Sequence, residues 1–273
     1  MLEVNHINFT YKNSPVLRNV SMKLSDGVYG LLGPNGSGKT TLLRCITGIV
    51  PLQDGTIKKP SQIVYLPHTF AMFPEVTTFE VLNYFATIKG ITSINRKDTI
   101  MTALKSVNLD EQATKKVGKL SGGMLRRLGI AQAIMGNPEL IIFDEPTTGL
   151  DPEERLRFRN LISSICGNKT ILIATHIVDD VETICDHIIL LKNGTIICQE
   201  PTEKIRDCAE GYVYRVPWSE KEKLVSPYAV ISNETINASK YIRVVSPHPQ
   251  PGRKVVPSFE DGYMLKIKEY YAI

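Results

Sequence analysis

Residues 33–41 of this 273-residue chain read GPNGSGKTT. The segment satisfies G-x-x-x-x-G-K-[ST] at Gly33, Gly38, Lys39 and Thr40, with Pro34, Asn35, Gly36, Ser37 and Thr41 filling and closing it. The apolar GVYGLL precedes it and the amphipathic KTTLLRCITGI follows, so the loop is predicted to join a strand to a helix. Glycines let such a backbone curl until successive N–H groups point at one centre. The helix N-terminus adds partial positive charge at the same spot. Lys39 then meets the β- and γ-phosphates, and the Thr40 hydroxyl ligates Mg²⁺. The pattern predicts a nucleoside triphosphate site. A dinucleotide fingerprint is excluded, because Gly36-x-Gly38 is followed by Thr41 where a third glycine is required.

Two more apolar runs end in polar residues. LIIFDE reads as a buried parallel strand with Asp144 and Glu145 at its C-terminal end, the edge where open α/β sheets bind ligands. Asp144 suits Mg²⁺, held through water, and Glu145 suits a general base that polarises a water. TILIATH ends similarly in His176, which points to a γ-phosphate contact. Leu120-Ser-Gly-Gly-Met124 stands just before a helix that runs through GGMLRRLGIAQAIMG. Ser121 can cap that helix, with Gly122 and Gly123 exposing N–H groups at its positive end. One chain thus has two phosphate-seeking helix starts but one lysine-bearing loop. A two-fold dimer, each nucleotide between the loop of one subunit and the serine-glycine cap of the other, resolves the mismatch.

Strands alternating with helices imply an α/β sheet flanked by helices. Short strands are expected over residues 2–32, at GTIKKP and at QIVYLP, and a hairpin around Asn193-Gly194. The stretch from Thr77 to Gly136 reads as helices alone, an inserted helical part of about residues 70–137. Beyond residue 207, VYRVP, YIRVVS and GYMLKIKEY read as short strands of a small α+β appendage, so the expected domains are 1–206 and 207–273. Five cysteines, without a CxxC pair, predict buried reduced thiols rather than a disulfide framework or a zinc site. The net charge of +4 is too small to argue for nucleic acid. MLEVNHINF has neither the basic nor the apolar region of a secretory signal, and no apolar stretch approaches the roughly 18 residues of a membrane span, so a soluble intracellular protein is expected.

Together these residues resemble the nucleotide-binding subunit of ATP-binding-cassette (ABC) transporters, over roughly residues 1–206. GPNGSGKTT is similar to the Walker A loop, LSGGM to the LSGGQ signature, and LIIFDE to Walker B with Glu145 as catalytic base. Tyr11 resembles the aromatic that stacks on adenine, TTGLD with Asp151 the loop that crosses the dimer interface, and His176 the switch histidine. The resemblance implies a P-loop NTPase of ABC type: a mixed sheet core with an N-terminal antiparallel β part, an inserted helical subdomain and a C-terminal appendage. It also implies ATP and Mg²⁺ as ligands, with Ser121, Gly122 and Gly123 contacting the ATP of a second nucleotide-binding subunit, in a homodimer or a related heterodimer. A separate membrane permease is the implied partner, which places the chain peripherally on the cytoplasmic face of the cell membrane.

The chain departs from the family at His68, where a glutamine normally touches Mg²⁺ and the attacking water. Imidazole is a poorer partner for a hard cation, so slow-to-normal hydrolysis is expected. The segment after it, with the apolar Phe70, Met72 and Phe73, corresponds to the family's permease groove. PSFEDGYML resembles the closing P-x-L-E-D-x-Y-L of drug-, antibiotic- and peptide-export cassettes, which favours export of such a substrate or a lipid-like one. Two other readings stay open: a soluble ABC ATPase outside transport, and an ATP-sensing cassette slowed by His68.

Overall fold

A computed structural model describes residues 1–269, which form two compact units, Met1–Ile196 and a second from Ile197 onward. In chain order the first holds β1 (Leu2–Tyr11), β2 (Ser14–Leu24), β3 (Gly27–Leu32), α1 (Lys39–Thr47), β4 (Asp54–Lys58) and β5 (Ile63–Leu66). Then come α2 (Thr78–Ile88), α3 (Ser93–Ser106), α4 (Gly122–Ile134), β6 (Leu140–Asp144), α5 (Pro152–Ile165), β7 (Thr170–Thr175), α6 (Val178–Ile184) and β8 (His187–Lys192). The unit boundary falls inside β9 (Thr195–Pro201). Asn193 and Gly194 both have positive φ, 49° and 81°, as a two-residue type I′ turn into β9 requires.

A sheet ordered β5-β6-β7-β3-β8-β9 carries the architecture, and a three-stranded antiparallel sheet, β2-β1-β4, accompanies it. Strands β5, β6, β7, β3 and β8 run parallel. Their register pairs Leu66 with Phe143, Asp144 with Ala174, and Leu32 with Thr175. Four consecutive strands therefore end level at one edge, and the residues just past them meet there: Pro67-His68, Glu145, His176 and Gly33. Central position explains the sequences, since LIIFD and TILIAT are buried at every residue and leave no polar face to alternate. One core joins α1 (Leu42, Leu43, Ile46) to both sheets through Leu2, Val4, Leu17, Leu140, Ile142 and Leu172.

Helices α2, α3 and α4 come from the insertion. Thr77 and Glu80 form a reciprocal capping box at the start of α2. Ser121 caps α4, accepting from the Met124 N–H at 3.2 Å. The far end of α4 is also held: the Lys89 ammonium donates to the carbonyls of Gln132 (2.5 Å) and Met135 (2.7 Å). Burial lowers the Lys89 pKa to about 8. Of the three apolar residues in the segment that resembles the permease groove, only Phe73 is exposed, at 75%. Phe70 and Met72 are half-buried, Phe70 being packed 6.4 Å from the Phe85 ring.

The second unit adds α7 (Thr202–Asp207), β10 (Val213–Pro217), β11 (Ala229–Ile236), β12 (Ser239–Val245), β13 (Arg253–Lys254) and α8 (Phe259–Lys268). Its antiparallel sheet is ordered β11-β12-β10-β13. GYMLKIK, expected as a strand, lies in helix α8. The deciding signal is a capping box, in which Ser258 accepts from Asp261 N–H while the Asp261 carboxylate accepts from Ser258 N–H. Five of the PSFEDGYML residues, Ser258 among them, have a structural task. Phe259 and Leu265 are buried, Asp261 is fully buried on Arg243, and Gly262 lets α8 lie against α7, where a Cβ would come 1.7 Å from the Ile205 carbonyl oxygen. Among the thiols, Cys45 and Cys185 are buried as expected, Cys166, Cys198 and Cys208 are only half-buried, and no disulfide joins any of the five.

Candidate active site

The loop between β3 and α1 closes tightly on its own lysine. Lys39 is buried, and its ammonium donates to the carbonyls of Gly33 (2.7 Å) and Pro34 (3.3 Å). Burial lowers its pKa, and the nearby carboxylates of Glu145 and Asp144 oppose that shift. Only glycine fits at position 33, since an added Cβ would stand 2.1 Å from the Leu191 carbonyl oxygen. The Ser37 hydroxyl is buried without a hydrogen-bond partner.

Asp144 is 1% exposed and shared by two hydroxyls. Thr40 Oγ1 donates to its Oδ2 at 3.1 Å, and the Tyr65 phenol donates to the same oxygen at 3.1 Å. Burial, together with Asp144, pushes the Tyr65 pKa up, which keeps the phenol a donor. A threonine hydroxyl beside one carboxylate is a hard oxygen pair. It fits Mg²⁺, which takes one or two protein oxygens plus phosphate and water, and the described residues contain no cluster of three or more His, Cys, Asp or Glu that would cage a metal alone.

Glu145 follows in a left-handed backbone conformation, φ 52°, uncommon for a residue with a side chain. Its N–H donates to the Ala174 carbonyl at 2.8 Å. Its carboxylate accepts from Thr175 Oγ1 (3.1 Å), from Thr148 Oγ1 (3.2 Å) and from His176 Nδ1, at 2.9 Å on Oε1 and 3.0 Å on Oε2.

An open cavity of about 720 Å³ gathers most of the predicted residues: Tyr11, Asn35 to Thr41, His68, Asp144 and Glu145. Tyr11 is 42% exposed at the end of β1, braced edge-on by Phe9 at 4.8 Å between ring centroids. His176 reaches the cavity only through Glu145. Ser121, Gly122, Gly123 and Asp151 do not line it. Ser121 and Asp151 are exposed helix caps, Asp151 accepting from Glu154 N–H at 2.8 Å. The Glu154 carboxylate stands where a side chain on Gly123 would go, and it pairs with Arg127 at 3.3 Å.

Sequence reading missed Tyr65, Thr148, Thr175 and Arg126. Tyr65 carried a signal, being a phenol two residues before Pro67 on the strand beside LIIFD. Arg126 carried one too, as a charge four residues before the buried Ile130 on the same face of α4. Its guanidinium is 8% exposed and donates to four main-chain carbonyls: Pro67 (2.8 Å), His68 (3.1 Å), Asp144 (2.7 Å) and Pro146 (3.0 Å). Burial lowers its pKa to about 10, with Asp144 and Glu145 opposing.

A family model for ABC transporters matches residues 17–148. The ABC transporter ATP-binding protein YxlF of Bacillus subtilis is 32% identical over 232 residues, which cover 82% of this chain and 78% of the relative. This chain belongs to the ABC transporter ATP-binding proteins. The ABC chain is also similar to the Nod factor export ATP-binding protein I of Rhizobium etli, 33% identical over 256 residues, 86% of this chain and 81% of that one. A solved ATP-binding subunit of an ABC transporter superposes with a TM-score of 0.71 at 26% identity, covering 76% of this chain and 92% of its own. As an ABC ATPase, the chain binds ATP and hydrolyses it in its nucleotide-binding cassette, and subunits of this family work with a permease. No helix among its described residues is long and apolar enough to cross a membrane.

Proposed function

We propose that this ABC ATPase drives an exporter whose permease is a separate chain, bound at the cytoplasmic face of the cell membrane. The single observation that carries the catalytic reading is the meeting of Lys39, Thr40, Asp144 and Glu145 in one cavity while the Ser121 cap lies outside it. Lys39 and the loop N–H groups hold the β- and γ-phosphates of ATP, with Tyr11 under the adenine. Thr40 and Asp144 hold Mg²⁺, which when bound neutralises charge on the phosphate oxygens. Glu145 takes the proton of the attacking water, and His176, hydrogen-bonded to it, contacts the γ-phosphate. Ser121, Gly122 and Gly123 complete the site of a second subunit, with Asp151 at the interface between them.

Exposure of Phe73 (75%), Tyr84 (59%), Ile88 (63%) and Ile94 (89%) around α2 supports this part as the face a permease covers. Tyr84 and Ile88 are one helical turn apart. Export is supported by the likeness to a Nod factor export protein and by PSFEDGYML. Glu145→Gln should lower ATP turnover by about 10²–10⁴-fold, the usual contribution of a general base. Ser121→Arg should abolish turnover while the isolated chain still binds ATP. Normal turnover in either variant sinks the corresponding assignment, and co-purification with ribosomes or DNA rather than a membrane protein sinks transport.

A further inference from the structure

Arg126 is a buried cation whose four hydrogen-bond acceptors are all main-chain oxygens. Where those oxygens lie is informative. One edge of the guanidinium, Nε and Nη2, takes the carbonyls of Pro146 and Asp144, the residues on either side of Glu145. The other arm, Nη1, takes the carbonyls of Pro67 and His68. Glu145 itself is left-handed, a conformation a glutamate resists. The backbone on both sides of it is therefore gripped by one planar fork, and the same fork sets the backbone of His68, which lines the same cavity.

We infer that Arg126 is a positioning residue for hydrolysis: it holds the left-handed turn at Glu145 and the His68 segment in fixed relation to each other and to α4. This rests on the reading of Glu145 as the base. Arg126 touches no nucleotide in this scheme and acts through the main chain of the residues that do. Lysine cannot replace it, because one ammonium cannot reach carbonyls on both sides of Glu145 and also those of Pro67 and His68. The guanidinium charge is balanced through space by the carboxylates of Asp144 and Glu145, and its hydrogen bonds are spent on geometry. The carbonyls of Asp144 and Pro146 would otherwise lack these donors, and a catalytic group displaced by about 1 Å loses on the order of 10²-fold in rate.

The test uses the full chain as R126K and R126Q, measured for steady-state ATP turnover, ATP affinity by equilibrium titration, thermal unfolding, and amide exchange of the segments 143–148 and 66–69. The expected result is a fall in kcat of about 10- to 100-fold. KM and ATP affinity should stay within about twofold, and exchange should speed up only in those two segments. In an E145Q background, R126K should lower the residual turnover by clearly less than it lowers that of wild type, since one of the two groups it positions is gone. A kcat equal to wild type, or a loss that multiplies that of E145Q, overturns the inference. So does global loosening of exchange, or failure of both variants to fold, because each makes Arg126 a scaffold residue only. The underlying reading fails separately: wild-type turnover no higher than that of E145Q would remove Glu145 as the base whatever Arg126 does.

Discussion

Removing the Asp261 carboxylate should unfold the second unit at a much lower temperature while teaching what the PSFEDGYML tail is for. Asp261 is fully buried and takes five hydrogen bonds: Arg243 Nε at 3.0 and 3.1 Å, Arg243 Nη2 at 2.6 Å, Ser258 N–H at 2.6 Å and Ser258 Oγ at 2.8 Å. Its partner Arg243 is itself 13% exposed, so the substitution strands a cation away from water, with Glu234, at 3.5 Å, as the one carboxylate left to it among the described residues. Breaking one side of such a pair costs about 3–5 kcal/mol. The reciprocal half of the α8 capping box, the bond from Ser258 N–H, belongs to the same removal and adds up to about 1 kcal/mol, while the Ser258 cap itself stays. In a unit of this size each kcal/mol moves the midpoint by about 4–8 °C, so D261A should lower it by roughly 15–45 °C. Trp218, the only tryptophan, lies in this unit, and its fluorescence reports the transition without interference from the first. D261N should cost nearly as much, because its amide group turns a donor toward donors. Pairing D261L with R243M should recover part of the loss, since an apolar pair replaces a buried ionic one. A shift of under about 5 °C in both D261A and D261N refutes the reasoning.

Three further outcomes are expected. H68Q should raise kcat by several-fold, because an amide oxygen suits hard Mg²⁺ better than imidazole; steady-state turnover at saturating Mg-ATP decides it, and an unchanged or lower kcat counts against the assignment. G33A should abolish nucleotide binding in a titration with a fluorescent ATP analogue, since its methyl group meets the Leu191 carbonyl oxygen at 2.1 Å. Lys89 should leave a signature in the pH dependence of stability. Its folded pKa, about 8, is below the ordinary 10.5, so between those values the unfolded chain binds more protons and the lysine's contribution rises with pH. Urea unfolding of wild type against K89M should show a stability difference that grows from about pH 8 to about pH 10.5, and a flat difference would refute the burial of that ammonium.

Much of the site was legible because its pieces are local. GPNGSGKTT is contiguous, and a strand, a loop and a helix start are all encoded in residues 27–47. LIIFDE and TILIATH showed their burial and their polar ends, and parallel register then brought those ends level. Residues defined by distant contacts were harder to see. Arg126 reaches carbonyls 58 and 59 positions away in sequence, and Tyr65 a carboxylate 79 positions away. Helix α8 was hidden by its alternating apolar pattern; the Ser258–Asp261 capping box was the stronger local signal, with aspartate in the place usually held by glutamate or glutamine. For Phe70 and Met72 the sequence leaves groove and core both open, because tertiary packing, not neighbouring sequence, half-covers them.

The fastening of α4 at Arg126 and at its Lys89 end, with the Ser121 tip left exposed, has a mechanical meaning. Its 13 residues make a rod about 20 Å long, with Ser121 at one tip, Arg126 one turn in, and the Lys89 ammonium clasped to the carbonyls at the other tip. Lys89 is also the last residue of the turn that closes α2, the helix bearing Tyr84 and Ile88. A rod so held does not absorb a push by bending. A tilt of about 10° applied at the Lys89 tip sweeps the Ser121 tip through about 3 Å, the full reach of a hydrogen bond.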